Sequence, residues 1–102
     1  MRVMIAYSST MHAKPGKRAE LLALLQELVD VAIADEPGTV TYIFHTVDND
    51  PDTVISYELF TDEAALAVHR DSPAVERILP RLRELTTPGS VRRLDPAIGK
   101  GC

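Results

Sequence analysis

The sequence predicts an α+β domain: one antiparallel sheet with its helices packed on a single face. Three observations carry that prediction. Residues 2–10, 39–47, 53–60 and 90–95 read as strands, while the segments after the first and third of them have helical spacing. The second and third strands are separated only by the polar turn Asp48-Asn49-Asp50-Pro51-Asp52, which makes them a hairpin. The chain has 102 residues, enough for one hydrophobic core and no more.

In the first strand Val3, Ile5 and Tyr7 share one face and Met4, Ala6 and Ser8 the other, so neither face clearly meets water. Pro15-Gly16-Lys17 is read as opening the first helix, because the missing proline N–H does no harm in a first turn. Leu21, Leu24, Leu25, Leu28 and Ala32 form its apolar stripe, widened by Leu22, Val29 and Ile33. Glu36-Pro37-Gly38 stops it, since Pro37 pushes its predecessor out of the α region. The β-branched and aromatic run from Thr39 to Val47 makes the second strand, and Thr53 to Phe60 the third. Asp62 or Thr61 caps the next helix, which carries His69. Ser72-Pro73 restarts a helix, and Pro80 predicts a kink or two short helical pieces. Thr87-Pro88-Gly89 reads as a turn before a last strand from Ser90 to Asp95. The domain is expected to span residues 1–96, with 97–102 a flexible tail.

The resulting order, βαββαβ with right-handed crossovers, is the ferredoxin-like arrangement. Its helices can cover only one side of the sheet. Met4, Ile43, Ile55 and Tyr57 nevertheless place apolar side chains on both sides. A second copy of the chain, packed sheet against sheet, is the expected cover, which predicts a homodimer.

Composition narrows the functions. With 15 acidic and 11 basic residues the net charge is −4, which argues against nucleic acid as a partner. No stretch is long and apolar enough to span a bilayer, and the N-terminus does not read as a secretory signal. The single cysteine, Cys102, makes the cytoplasm the expected compartment and rules out a cysteine-type zinc site. Three scattered histidines give no metal-ligand spacing, so no metal is expected.

The segment Tyr57–His69 holds the most chemistry. His69 lies three and four residues beyond Leu66 and Ala65, on their side of the helix and toward the sheet. Glu58 lies between Tyr57 and Leu59 and needs a partner if both sheet faces are covered. His69 is one candidate, and would have its tautomer fixed by the carboxylate; Arg92 or Arg93 on the last strand is the other. If the hairpin pairs Val47 with Thr53, Tyr42 faces Glu58 and Phe44 faces Ser56. Tyr42, Phe44, Ser56, Glu58 and Phe60 then line one aromatic pocket, though a slip of one residue would change the set. Tyr7 and Tyr42 suit hydrogen bonding to a substrate oxygen, because phenols with a pKa near ~10 are poor bases at neutral pH. The bland alternative makes His69 a core histidine satisfied by a backbone carbonyl, and the tyrosines filler. His12 is expected in a solvated loop, His45 at the dimer interface, and Arg77, Arg81 and Arg83 on a solvated helical face; Cys102 is given no role.

Pro15-Gly16-Lys17, the run Glu36-Pro37-Gly38-Thr39-Val40-Thr41-Tyr42, and Tyr57 to Leu66 followed by His69 and Ser72-Pro73 carry a family likeness. From Val3 to about Leu94 the chain resembles the antibiotic biosynthesis monooxygenase family of small dimeric α+β-barrel proteins. The resemblance implies a dimeric α+β barrel, similar to quinol monooxygenases, that oxidises a small aromatic quinol or phenol with O2 and needs no cofactor. It casts His69 as base or proton shuttle, Glu58 as its orienter, and Tyr7, Tyr42, Phe44, Ser56 and Phe60 as substrate contacts. The haem-degrading branch of the family uses a first-strand asparagine, a helix tryptophan and a ligating histidine. Here Tyr7 and His69 stand at about the first two positions and no histidine lies near Leu79-Pro80, which disfavours haem chemistry. Two alternatives remain open: an isomerase or other proton-transfer enzyme acting on a small phosphorylated or carbonyl compound, and a non-catalytic small-molecule-binding dimer.

Overall fold

A computed structural model of the chain describes residues 3–102. The elements follow the order β1 (Ile5–Ala13), α1 (Arg18–Asp35), β2 (Thr39–Val47), β3 (Asp50–Phe60), α2 (Glu63–Arg70), α3 (Pro73–Leu85) and β4 (Thr86–Leu94). The four strands form one antiparallel sheet in the order β2-β3-β1-β4, the ferredoxin-like topology. Its second crossover is built from two helices, α2 and α3.

Strand register decides which side chains meet the helices. Ile5, Tyr7, Ser9 and Met11 of β1 stand opposite Phe60, Glu58, Ser56 and Val54 of β3, and all share the helix-covered face. Leu21, Leu25 and Leu28 of α1 and Ala74, Ile78 and Leu85 of α3 pack over Ala13 and Val54 as the main core. A smaller cluster of Ile5, Phe60 and Leu66 lies under α2. Each such large side chain, once buried, contributes about 1.5–3 kcal/mol.

The hairpin pairs Tyr42 with Glu58 and Phe44 with Ser56, as expected, but it turns differently. Val47 meets Asp50 rather than Thr53, because β3 starts at Asp50 and a bulge takes up the extra residues. Asp50 holds that bulge by accepting the N–H groups of Asp52 and Thr53, both at 3.1 Å. Asn49 takes the left-handed conformation of the turn, which short polar side chains tolerate.

Other expectations change as well. The first strand runs from Ile5 through Ala13 rather than over 2–10, so His12 lies on a strand and not in a loop; Arg2 lies outside the described residues. Pro15 and Gly16 form a turn before the helix, closed by Lys17 N–H donating to the Lys14 carbonyl at 2.9 Å, with Gly16 at φ 76°. The helix itself starts at Arg18. Helix α3 runs unbroken through Pro80, not as two pieces. Pro80 is exposed, so water can reach the Glu76 carbonyl that the proline leaves without a donor. Thr87-Pro88-Gly89 is not a separate turn but a bulge within β4, between the pairs Thr10–Ser90 and His12–Thr87. There a Cβ on residue 89 would lie 2.1 Å from the Thr10 carbonyl oxygen, a position only glycine fits. Pro88 is tolerated because β4 is an edge strand.

The opposite sheet face carries Ala6 and Ser8 of β1, Ile55, Tyr57 and Leu59 of β3, and Ile43 and His45 of β2. No described element packs across it, and Ile43 is 47% exposed. Asp62 caps α2 by accepting the Ala65 N–H at 2.8 Å, and Ser72 caps α3 through the Ala74 N–H at 3.3 Å.

Helix α2 approaches the end of α1 closely. A Cβ on Gly38 would stand 2.4 Å from the Ala65 Cβ, so the glycine sets how near α2 can lie. Gly38→Ala should therefore destabilise the fold by about 1–3 kcal/mol in chemical denaturation, the usual cost of overpacking. Adding Ala65→Gly should recover part of that loss despite its own helix cost, giving a favourable coupling in the double-mutant cycle.

Candidate active site

Three elements converge on one imidazole. His69 occupies the last turn of α2, Glu58 points from β3 into the helix-covered face, and Glu36 is the residue that ends α1. Glu36 is turned inward by the Pro37-Gly38 turn, in which Thr39 N–H donates to the Glu36 carbonyl at 3.0 Å. His69 Nδ1 lies 2.7 Å from Glu36 Oε1, and Nε2 lies 3.1 Å from Glu58 Oε1. The three side chains are only 12%, 5% and 15% exposed for His69, Glu36 and Glu58.

Hydroxyl groups and rings fix this arrangement. Thr39 Oγ1 donates to Glu36 Oε1 at 2.9 Å, and Ser56 Oγ donates to Glu58 Oε2 at 3.3 Å. Ser56 Oγ in turn accepts the Ser9 N–H at 3.1 Å, with the Ser9 hydroxyl 2.5 Å away. Tyr42 meets the imidazole edge-on at 4.9 Å between centroids, and Phe60 packs against it at 5.0 Å. Among the described residues no buried side-chain N or O atom lacks a hydrogen-bond partner.

The electrostatics follow from the geometry. Burial alone pulls the imidazole toward its neutral form, but the hydrogen bonds and charges of Glu58 and Glu36 overcome it and raise the His69 pKa. Burial, reinforced by the same two carboxylates, pushes the Tyr42 phenol well above its ordinary value, so Tyr42 stays a proton donor. With both ring nitrogens engaged, His69 offers no free lone pair to a ligand. Glu58 lines a cavity in which a ligand could meet its carboxylate.

A cavity of about 280 Å³ is walled by Tyr7, Glu58 and His69 together with Leu66, Val75 and Val91, with Arg70 at its rim. On the outer side of α2 lies a larger groove of about 600 Å³, bordered by Glu36, Val31, Ala67 and Val68 and by the charged Asp35, Asp71 and Arg77. The smaller cavity is the one with the polar groups of the cluster facing an apolar space.

Of the residues singled out in the sequence, His69 and Glu58 are brought together and Tyr7 joins them on the cavity wall. Tyr42 and Phe60 stand against the imidazole rather than the cavity, Phe44 packs on Tyr42 at 5.0 Å, and Ser56 is buried beneath Glu58. Arg93 pairs with Glu63 and Arg92 stands opposite Ser8 on the other face, so the partner of Glu58 is His69. His12 and His45 are exposed on the open face. Arg81 pairs with Glu20 and Glu84. Glu36 is the residue that sequence reading passed over. It had a signal: an acid at a helix C-terminus opposes the helix dipole, and so asks for another partner. Among the described residues no group of three or more His, Cys, Asp or Glu is placed to hold a metal ion.

Residues 4–81 match the profile of the antibiotic biosynthesis monooxygenase family. The chain belongs to that family. A solved structure of a candidate antibiotic biosynthesis monooxygenase from Caulobacter crescentus superposes with a TM-score of 0.87 at 21% identity, over 96% of this chain and 92% of the other. A Mycobacterium tuberculosis protein gives a TM-score of 0.84 at 24% identity, over 95% and 98%. These neighbours establish the fold. An uncharacterised protein of Synechocystis sp. is 25% identical over 81 residues, which are 79% of this chain and 54% of the relative; the chain thus spans about half of that protein's length. No described helix is long and apolar enough to cross a membrane.

The raised His69 pKa fixes the sign of a stability profile. The imidazolium's contribution is fully present below the unfolded value of about 6.5 and is lost as pH rises through the higher folded value. Thermal unfolding of the wild type should therefore show Tm declining across that window. His69→Gln, which cannot titrate, should flatten the decline.

Proposed function

We propose that this protein is a cofactor-independent monooxygenase that oxidises a small aromatic quinol or phenol with O2. The observation that supports it is the carboxylate-clasped imidazole on the wall of a largely apolar cavity. Such chemistry needs a base to make an electron-rich phenolate, a dry space for it, and donors for the developing oxyanion. In balance, one phenol and one O2 give one quinone and one water. The phenolate passes an electron to O2, the radical pair joins to a ring peroxide, and proton delivery gives a hydroperoxide; its O–O bond breaks as the ring C–H proton leaves with the departing hydroxide as water.

The work divides differently from the expectation that His69 is the base. Glu58 takes the substrate proton, because its carboxylate faces the cavity while both nitrogens of His69 are engaged. His69 holds Glu58 in place and supplies the positive charge beside it. Tyr7 donates a hydrogen bond to substrate oxygen from the cavity wall. Tyr42, Phe44, Ser56 and Phe60 act by fixing these groups. The cavity suits a neutral ring better than a phosphorylated compound. Beside the His69 imidazolium, already matched by two carboxylates, the arginine on its wall is Arg70, 66% exposed at the rim, while Arg77 borders the outer groove. The working form in this proposal is a cytoplasmic homodimer joined through the open sheet face.

Oxygen uptake with a panel of hydroquinones and naphthols tests the chemistry. Metal-stripped wild type should consume O2 above the autoxidation rate, and Glu58→Gln should lose about 10²-fold or more, the usual worth of a positioned base. Uptake no faster than buffer from a folded wild-type protein would reject the oxygenase. For the dimer, Ile43→Asp places a charge on the open face and should yield monomer by light scattering. A wild type that is already monomeric would discard the sheet-to-sheet pairing.

A further inference from the structure

We propose that Glu58, His69 and Glu36 form a proton path joining the cavity to the groove on the outer side of α2. It rests on the oxidative reading, but it is testable without turnover. Nδ1 is hydrogen-bonded to Glu36 Oε1 at 2.7 Å, and Nε2 lies within ion-pair distance of Glu58 Oε1 at 3.1 Å. One end of the path borders the cavity and the other borders the groove. Glu36 Oε1 takes both of that carboxylate's protein hydrogen bonds, from Thr39 and His69, and leaves Oε2 with no protein donor. Since no buried side-chain oxygen among the described residues is without a partner, Oε2 must touch solvent, and the groove is the solvent-filled space that Glu36 lines.

A histidine kept only for structure would need one acceptor. Here a second buried carboxylate is spent on its other nitrogen, a costly choice unless both ends are used. In the oxidative reading the substrate ring lies against Tyr7, Glu58 and His69 in the cavity of about 280 Å³, between Glu58 and the solvent on that side. The path gives the proton another way out. From the imidazolium, the Nδ1 proton leaves through Glu36 to groove water as Glu58 takes the substrate proton, so the charge of the cluster does not change. Later, groove water reprotonates Nδ1 through Glu36 as Glu58 passes its proton to the peroxide. The two passages run in opposite directions, so the imidazolium is restored with no ring flip and no net proton is released. The charged and titratable groups around the path are Tyr42 on β2, which stays protonated, Tyr7 on β1 opposite Glu58 with Arg93 of β4 beside it, Arg70 beside His69 on α2, and Asp35, Asp71 and Arg77 around the groove.

The test follows the exchange of the two His69 ring N–H protons with water, by NMR on nitrogen-15-labelled protein without substrate. Val68 and Val91 are 54% and 72% exposed, at the groove and at the cavity respectively, so a tryptophan at either can plug its space without entering the core. Val68→Trp should slow exchange of the Nδ1 proton about tenfold and leave the Nε2 proton unchanged, and Val91→Trp should do the reverse. Glu36→Gln, whose amide oxygen still accepts from Nδ1, should also slow the Nδ1 proton. An Nδ1 rate indifferent to Val68→Trp, or either plug slowing both protons alike, would overturn the path. Because exchange is read without O2, loss of the path and loss of the oxygenase reading are separate results.

Discussion

Everything around the site depends on one buried imidazole gripped by two carboxylates from different parts of the chain. The pairs His69–Glu36 and His69–Glu58 span 33 and 11 residues of sequence and tie α2 to the end of α1 and to β3. Removing three ionisable groups from water is expensive, and such clusters are poor sources of stability unless every polar atom is matched. Here Thr39 serves one carboxylate, whose second oxygen is left to solvent, and Ser56, supported by Ser9, serves the other. Helix α2 has eight residues and one fully buried side chain, Leu66, too little apolar surface to define its position alone. Its rotation and height are set by where both ring nitrogens find an acceptor, with Gly38 giving the room.

That clasp also decides the division of labour. An imidazolium between two carboxylates leaves the cluster with one net negative charge, and the negative group that faces apolar space is Glu58. Tyr42, edge-on to the ring and held neutral by the same charges, closes the cluster on the side of β2. A proton arriving at Glu58 is thus accepted next to a positive charge that moderates the change.

Much of this was legible in the sequence, for reasons that differ by residue. Alternation identified the strands, and an assumed Val47–Thr53 pairing put Glu58 opposite Tyr42; that row holds although Val47 itself meets Asp50, because the bulge lies beyond it at the hairpin end. Leu66 and Ala65 aimed His69 inward through helical spacing alone. What was hidden involved backbone detours. The bulges at Asp50–Thr53 and at Gly89 add residues that periodicity cannot place, so the start of β3 and the whole of Thr87–Gly89 were misread. Pro80 suggested a break, but its exposed position lets water replace the lost hydrogen bond. Glu36 was masked by its neighbours: Pro37-Gly38 announces a helix end so plainly that the acid before it reads as punctuation.

Strand β3 links the site to the open face. Along Tyr57, Glu58, Leu59 and Phe60, alternate residues point to opposite sides, so the strand that holds the proton acceptor also contributes half-buried Tyr57 and buried Leu59 to the other face. A slip of one residue would bury Tyr57 and Leu59 with the helices and expose Val54 and Phe60. It would also separate Glu58 from His69, so the core and the cluster both oppose it. The two bulges then have a clear mechanical place. They absorb mismatched strand lengths at the far end of the sheet, where Asn49 and Gly89 accept backbone conformations and contacts other residues resist, and they leave the Tyr7–Glu58–Tyr42 row in register. A third shift, between Thr39 and Thr41, lies at the site end of β2; it is taken up at Val40 beside Phe60 and still leaves Tyr42 opposite Glu58.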